Sequence, residues 1–264
     1  PGGIEPHAHI GGPREPERSG AGVVSRAAIY GGTTTIFDFA TQIPGHDLWH
    51  ALDEAQERWN GNAYTDYSYH PIFAQEAGMD CIEQIPALIE RGFPSFKVFT
   101  TSIRPPSKGI QNNHTDFGRL CEIMARIASN DGVLMVHSED DEIVSYNYSR
   151  AKGKGEWDWW NMHHIHSNLS EDVSFRRVIR LSEQVGSAIY FVHVSAKEGV
   201  IALAEARRKG LPVYGETLHN YACFNAENYR EKDGMKYHTY PSLKSEEDRT
   251  VLWDGLLDGR LSTL

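Results

Sequence analysis

The sequence predicts an α/β protein of the (β/α)8 TIM-type barrel class, and three observations carry that expectation. Short β-branched runs alternate with longer amphipathic segments along nearly the whole chain, the pattern of parallel strands joined by right-handed helical crossovers. Seven candidate strands are followed by the start of an eighth at Leu261, close to the last residue. That count fits a closed barrel of about 250 residues, truncated near its eighth strand, better than an open doubly wound sheet. No Gly-x-Gly-x-x-Gly follows the first strand, as a dinucleotide-binding sheet would require. Residues 1–264 read as one barrel domain, with no linker, repeat or low-complexity tract.

The strands are expected at 3–10, 33–40, 64–73, 95–101, 133–139, 188–195 and 212–218, and the helices at 47–60, 80–91, 115–130, 171–185, 197–209 and 245–257. In the third helix Leu120, Ile123, Met124 and Ile127 recur at helical spacing and mark one buried face. Gly92, Gly186 and Gly210 fall just past helix ends, where a left-handed cap residue is wanted. Two segments break the rhythm: a Pro-, Ser- and Asn-rich loop at 102–113, and a long excursion at 140–168. Both follow the carboxyl end of a strand, the face on which barrel enzymes build their sites.

Composition narrows the function classes. Lys and Arg number 26 against 36 Asp and Glu, a net charge of −10, which argues against nucleic acid as the main partner. No apolar run approaches a membrane span. Cys81, Cys121 and Cys223 are far apart and odd in number, which is no disulfide framework. A cytoplasmic enzyme is expected.

The chemistry sits at strand ends. His7 and His9, two apart on the first strand, project to one side. A lone buried strand histidine is usually a hydrogen-bonded core residue, whereas a same-face pair gains little unless a cation binds between the rings. His137 closes Val-Leu-Met-Val-His and His193 closes Ile-Tyr-Phe-Val-His. Together the four provide neutral nitrogen ligands suited to a zinc-type ion. Lys97 lies inside the apolar Ser-Phe-Lys-Val-Phe. Beside divalent ions an ammonium is disfavoured by about 4 kcal/mol per charge pair. Either the amine turns away, or it reacts with carbon dioxide to give an anionic carbamate.

Six segments, in this order, resemble the dihydropyrimidinase/hydantoinase branch of the amidohydrolase superfamily. They are Pro-Gly-Gly-Ile-Glu-Pro-His-Ala-His at 1–9, Gly-Gly-Thr-Thr-Thr at 31–35, Phe-Lys-Val-Phe at 96–99, Val-His at 136–137, Val-His-Val-Ser at 192–195 and Gly-Glu-Thr at 215–217. The resemblance spans essentially the whole chain. It implies two divalent metals, usually zinc, with His7 and His9 on one, His137 and His193 on the other, and carboxylated Lys97 and a hydroxide bridging them. It also implies a base Asp beyond Leu264, a β-sandwich outside this segment, and a homotetramer. The activity implied is hydrolytic ring opening of a cyclic amide. Other cyclic amidohydrolase reactions, allantoinase- or dihydroorotase-like, are the alternative; Arg104 is the one Arg near a strand end that could clamp a dihydroorotate carboxylate. A non-catalytic assembly protein of the same fold would lack the ligands present here.

Some positions depart from the family's pattern. Glu5 stands where the family usually has Asp. Ser102 stands where hydantoinases carry an oxyanion-stabilising Tyr, and Tyr240 where they usually have a Ser that holds the substrate amide through its backbone. With His219, after the seventh strand, Ser102 and Tyr240 are the expected substrate contacts. His70 is expected to be a satisfied core residue, and His163, His164 and His166 a polar surface stretch. Trp157, Trp159 and Trp160 are read as an apolar lid or a subunit contact.

Overall fold

The structure, a computed structural model, describes residues 1–10, 20–75, 77–102 and 114–264. These form two compact units, Pro1–Lys97 and Val98–Leu264. Arg104 and nearly all of the expected 102–113 loop lie outside the described residues.

In the first unit β1 (Gly3–Glu5), β2 (Thr33–Thr41) and β3 (Asp66–Ile72) pair in parallel and in chain order, and Lys97 of β4 (Ser95–Phe99) pairs with Ile72. The crossovers contain α1 (Ala21–Tyr30), α2 (Leu48–Trp59), α3 (Met79–Ile82) and α4 (Ile85–Glu90). The first strand is shorter than expected because Pro6 has no N–H to give the ladder. The chain nevertheless stays against β2: Ala8 N–H donates to the Phe37 carbonyl at 3.0 Å and Ile10 N–H to the Asp38 carboxylate at 3.1 Å. The single helix expected at 80–91 is two pieces, with Pro86 in the first turn of the second, where its missing N–H costs nothing. Helix α1 escaped sequence reading because Val23, Ile29 and Tyr30 are exposed while Ala21 and Ser25 are buried, so no one-sided apolar stripe marks it.

In the second unit β5 (Val133–His137), β6 (Ala188–Phe191) and β7 (Val213–Gly215) are again parallel and sequential. Glu216 and Thr263 make an isolated parallel bridge at the position of the expected eighth strand. The helices are α5 (Phe117–Ala128), α6 (Asp141–Lys154), α7 (Met162–Ile165), α8 (Asn168–Val185), α9 (Lys197–Arg208), α10 (His219–Cys223) and α11 (Glu246–Leu257). Their starts follow capping rules: Asp116, Asp140, Ser167 and Ser245 each accept a backbone N–H of the first turn. Helix α8 ends at Gly186 with φ +74°, a left-handed cap that glycine takes without a Cβ penalty. Gly92 and Gly210 also have positive φ. The periodic face of α5 is fully buried through Leu120, Ile123, Met124 and Ile127. The 140–168 excursion contains α6 and α7. No helix among the described residues is long and apolar enough to cross a membrane.

Phe175 of α8 stacks on Phe191 of β6, with centroids 4.0 Å apart and planes 15° apart, both rings buried. Phe175→Ala should cost about 3–5 kcal/mol in chemical denaturation. In a cycle with Phe191→Ala, about 0.5–1.5 kcal/mol should appear as coupling; strict additivity would mean the stack contributes only buried area.

Candidate active site

The first unit carries three of the expected ligands. The His7 and His9 rings lie 5.4 Å apart, and both pack on Phe39. Lys97 is 0% exposed, with Nζ 3.4 Å from His7 Nε2 and 5.3 Å from the Phe39 centroid. The histidine pair therefore stays together although the regular strand ends before it. Its flanks are pinned. His70 bonds to Ser95 Oγ at 2.6 Å and to the Pro6 carbonyl at 2.9 Å, a satisfied core histidine that fixes the residue before His7. Glu5 is exposed, and its carboxylate accepts the His7 N–H at 2.9 Å.

Beyond His9 the buried Asp38 accepts from Ile10 N–H, from Phe39 N–H at 2.7 Å and from Trp59 Nε1–H at 2.8 Å. Burial pushes the Asp38 carboxyl up, against the pull of these donors and of Arg58.

The second unit carries the other pair. His137 ends β5, His193 follows β6, and their rings meet edge to face at 4.5 Å. His137 Nε2–H donates to Glu139 Oε2 at 2.9 Å. His193 has φ +42°, a left-handed conformation that costs a non-glycine residue about 1–3 kcal/mol. It is held there by neighbours on both sides. The carboxylate of Glu216 accepts the His193 N–H at 3.3 Å and its backbone carbonyl accepts the Val194 N–H at 2.6 Å. Buried Glu171 of α8 accepts Ser195 N–H at 3.0 Å, Ser195 Oγ–H at 2.5 Å and Ala196 N–H at 2.9 Å.

The expected substrate contacts all fall in the second unit. Ser102 is buried, its N–H donated to Asp141 Oδ1 at 2.7 Å and its hydroxyl 3.1 Å from His114 Nδ1. Tyr240 is half-buried, its ring 5.1 Å from that of His166. His219 is exposed at the start of α10.

The 163–166 histidines require a correction. His164 is exposed and His163 half-buried, but His166 is 0% exposed and bonded to Glu139 and Tyr148. It is a core residue, not surface. Burial and the neighbouring His164 bring His163 down to about 4. Trp157 and Trp159 remain partly exposed, while the Arg230 guanidinium covers Trp160 at 3.4 Å.

Sequence reading missed the buried carboxylates Asp38, Glu139 and Glu171. Their signal was of the kind that revealed the histidines: Asp38 interrupts an apolar strand, and Glu139 stands two residues past one. Burial raises the Glu139 carboxyl, but the His166 ring and the hydrogen bonds from His137 and His166 outweigh it and hold the group well below the usual carboxylate range. Neither unit gathers three or more His, Cys, Asp or Glu side chains as a metal cluster among its described residues.

No family model matches the sequence. The chain is similar to the D-hydantoinase of Streptomyces coelicolor, 35% identical over 262 residues that cover 97% of this chain and 54% of the relative. It is 34% identical to the D-hydantoinase of Geobacillus stearothermophilus, over all of this chain and 55% of the relative. Among solved structures it superposes on the dihydropyrimidinase of Brevibacillus agri with a TM-score of 0.90 and 29% identity, covering 99% of this chain and 56% of that one. The D-hydantoinase of Bacillus sp. AR9 gives a TM-score of 0.90 and 31% identity, covering 99% and 56%. The chain thus spans about half the length of the curated relatives it matches.

With strand-end histidines on parallel strands, these likenesses give the chain a TIM-type barrel fold similar to that of cyclic amidohydrolases. Among them, its likeness is to the hydantoinase/dihydropyrimidinase branch.

Burial pushes the Glu171 carboxyl from 4.5 up to about 7, against the pull of Lys244 and of the Ser195 and Ala196 donors. A carboxyl raised on folding stabilises fully below its unfolded value, and that contribution is lost as pH rises through the folded value. Wild-type stability should therefore fall relative to Glu171→Gln between about pH 4.5 and 7, by on the order of 3 kcal/mol. Urea denaturation of both proteins across that range measures it. A constant difference would mean that Glu171 ionises as readily folded as unfolded.

Proposed function

We propose that the chain is the catalytic barrel, residues 1–264, of a metal-dependent hydrolase that opens cyclic amides such as dihydropyrimidines and hydantoins. The observation that carries this reading is the fully buried Lys97 amine 3.4 Å from His7, on a strand beside a histidine pair, in a chain similar to D-hydantoinases along its whole length.

The donor set fits divalent ions. Each unit offers a pair of adjacent imidazoles, at 5.4 and 4.5 Å between centroids, and zinc takes neutral imidazole nitrogens at about 2.0–2.1 Å. His7 and His9 would hold one zinc ion and His137 and His193 a second, and Lys97 would be a further ligand once its Nζ bonds the carbon of carbon dioxide and loses a proton. When bound, the ions supply Lewis acidity toward the ring carbonyl and lower the pKa of water.

The chain's own residues do the positioning. Asp38, Glu171 and Glu216 fix the backbone beside His9 and His193 through the bonds described above. Phe39 packs against Lys97 and both first-unit histidines, excluding water from the lysine. Ser102, Tyr240 and His219 are the proposed substrate contacts, and Ser102 in place of a tyrosine narrows activity on simple hydantoins. A cytoplasmic homotetramer completes the proposal.

Lys97→Ala should lower bound zinc from about two ions per chain to one or fewer, and slow ring opening of dihydrouracil and hydantoin by about 10³-fold or more. Formate, acetate or propionate should restore part of the rate by supplying the carboxylate that the modified lysine would provide. Metal analysis and turnover of the natural protein decide it: two retained ions with near-normal turnover would make Lys97 a bystander.

A further inference from the structure

The second unit contains a buried chain of polar side chains that ends on the proposed ligand His137 and whose other members the proposed ligand set does not use. Tyr148, His166, Glu139 and His137 are each under 5% exposed, and every link is a short hydrogen bond. The Tyr148 hydroxyl donates to His166 Nε2 at 2.8 Å. His166 Nδ1–H donates to Glu139 Oε1 at 2.9 Å. The other oxygen, Oε2, accepts His137 Nε2–H at 2.9 Å.

The chain has one consistent proton assignment with neutral rings. A carboxylate accepts only, so both imidazole nitrogens that face it carry hydrogen. His166 then has its lone pair on Nε2, toward the tyrosine hydroxyl, and His137 has its lone pair on Nδ1. Both supports of the chain are themselves anchored. The Glu139 N–H donates to Thr100 Oγ1 at 3.1 Å, and the His166 carbonyl accepts the buried Lys244 ammonium at 2.7 Å. Tyr240 closes over the His166 ring at 5.1 Å.

A core that needed only satisfied polar groups could bond His137 through either nitrogen. A carboxylate fixed from behind by a second imidazole permits one. Carboxylates that accept the distal N–H of a metal-bound histidine orient the ring and raise its basicity, and their loss typically costs about 10–100-fold in metal affinity.

We propose that Glu139, held in place by His166 and Tyr148, is a positioning residue that locks His137 as its Nε2–H tautomer and makes Nδ1 the nitrogen that binds metal. This rests on the reading of His137 as a ligand. Glu139 touches neither substrate nor metal in this role; it acts through His137.

The first test needs no variant. Imidazole ¹⁵N NMR of the metal-free natural protein should show His137 protonated at Nε2 and unprotonated at Nδ1; the opposite tautomer overturns the proposal. Zinc titration then compares variants. Glu139→Ala should weaken the weaker of the two binding events about 10–100-fold. Glu139→Gln, which keeps an acceptor for one imidazole, should fall between it and wild type. Tyr148→Phe, which leaves the carboxylate in place, should weaken it less than Glu139→Gln does. If Glu139→Ala is poorly folded, Glu139→Gln carries the titration.

Wild-type zinc affinity in a folded Glu139→Ala or Glu139→Gln, alongside a metal-poor His137→Ala, overturns the positioning role while leaving His137 a ligand. Full metal retention by His137→Ala overturns the ligand reading and the proposal with it.

Discussion

The arrangement of both units depends on the need to satisfy carboxylates that have been taken out of water. An ionised carboxylate buried without partners is too costly to persist, so each buried acid here collects donors, and the donors it finds are the backbone amides just past strand ends. There the ladder has stopped and N–H groups need acceptors. Asp38 takes Ile10 N–H, Glu216 takes His193 N–H, and Glu171 takes Ser195 and Ala196 N–H. Each acid thereby fixes the backbone within two or three residues of a histidine singled out as a ligand. The same bonds satisfy the acid and place the imidazole.

Lys97 is the counterpart on the cationic side. Its neighbours in the first unit are an imidazole nitrogen at 3.4 Å and the face of Phe39 at 5.3 Å. A surface lysine extends its stem along apolar surface and leaves its amine in water; this one is fully enclosed. That contrast separates it from ordinary strand lysines more sharply than its place in the sequence does.

Much of this was legible in the sequence, for physical reasons. A polar residue that closes an apolar run stands out, and so His137, His193 and Lys97 could be read at once. One-sided periodicity identified α5 because its buried face is continuous. Elements whose stability comes from elsewhere were harder. Helix α1 has apolar residues on its exposed side, and α6 is largely polar and held by an Asp140 cap at its start and Gly155 at its end. Strand ends were overestimated where a proline or a side-chain acceptor replaced ladder bonds, as at Pro6 and Asp38. His166 was misread because neighbouring histidines suggested one environment for all three, whereas a short helix turns successive residues toward opposite surroundings. Its partner Glu139 is 27 residues away, a pairing that no local pattern reveals.

The left-handed backbone of His193 has a consequence for how this protein can change. Glycine would adopt φ +42° without strain, so the residue found there is not the one that folding alone would choose. Selection for stability by itself would erode the imidazole and favour the smaller residue. Thermostabilisation guided only by folding free energy would therefore steer this position away from its proposed use, so that robustness and the proposed chemistry would draw on opposite substitutions at one site.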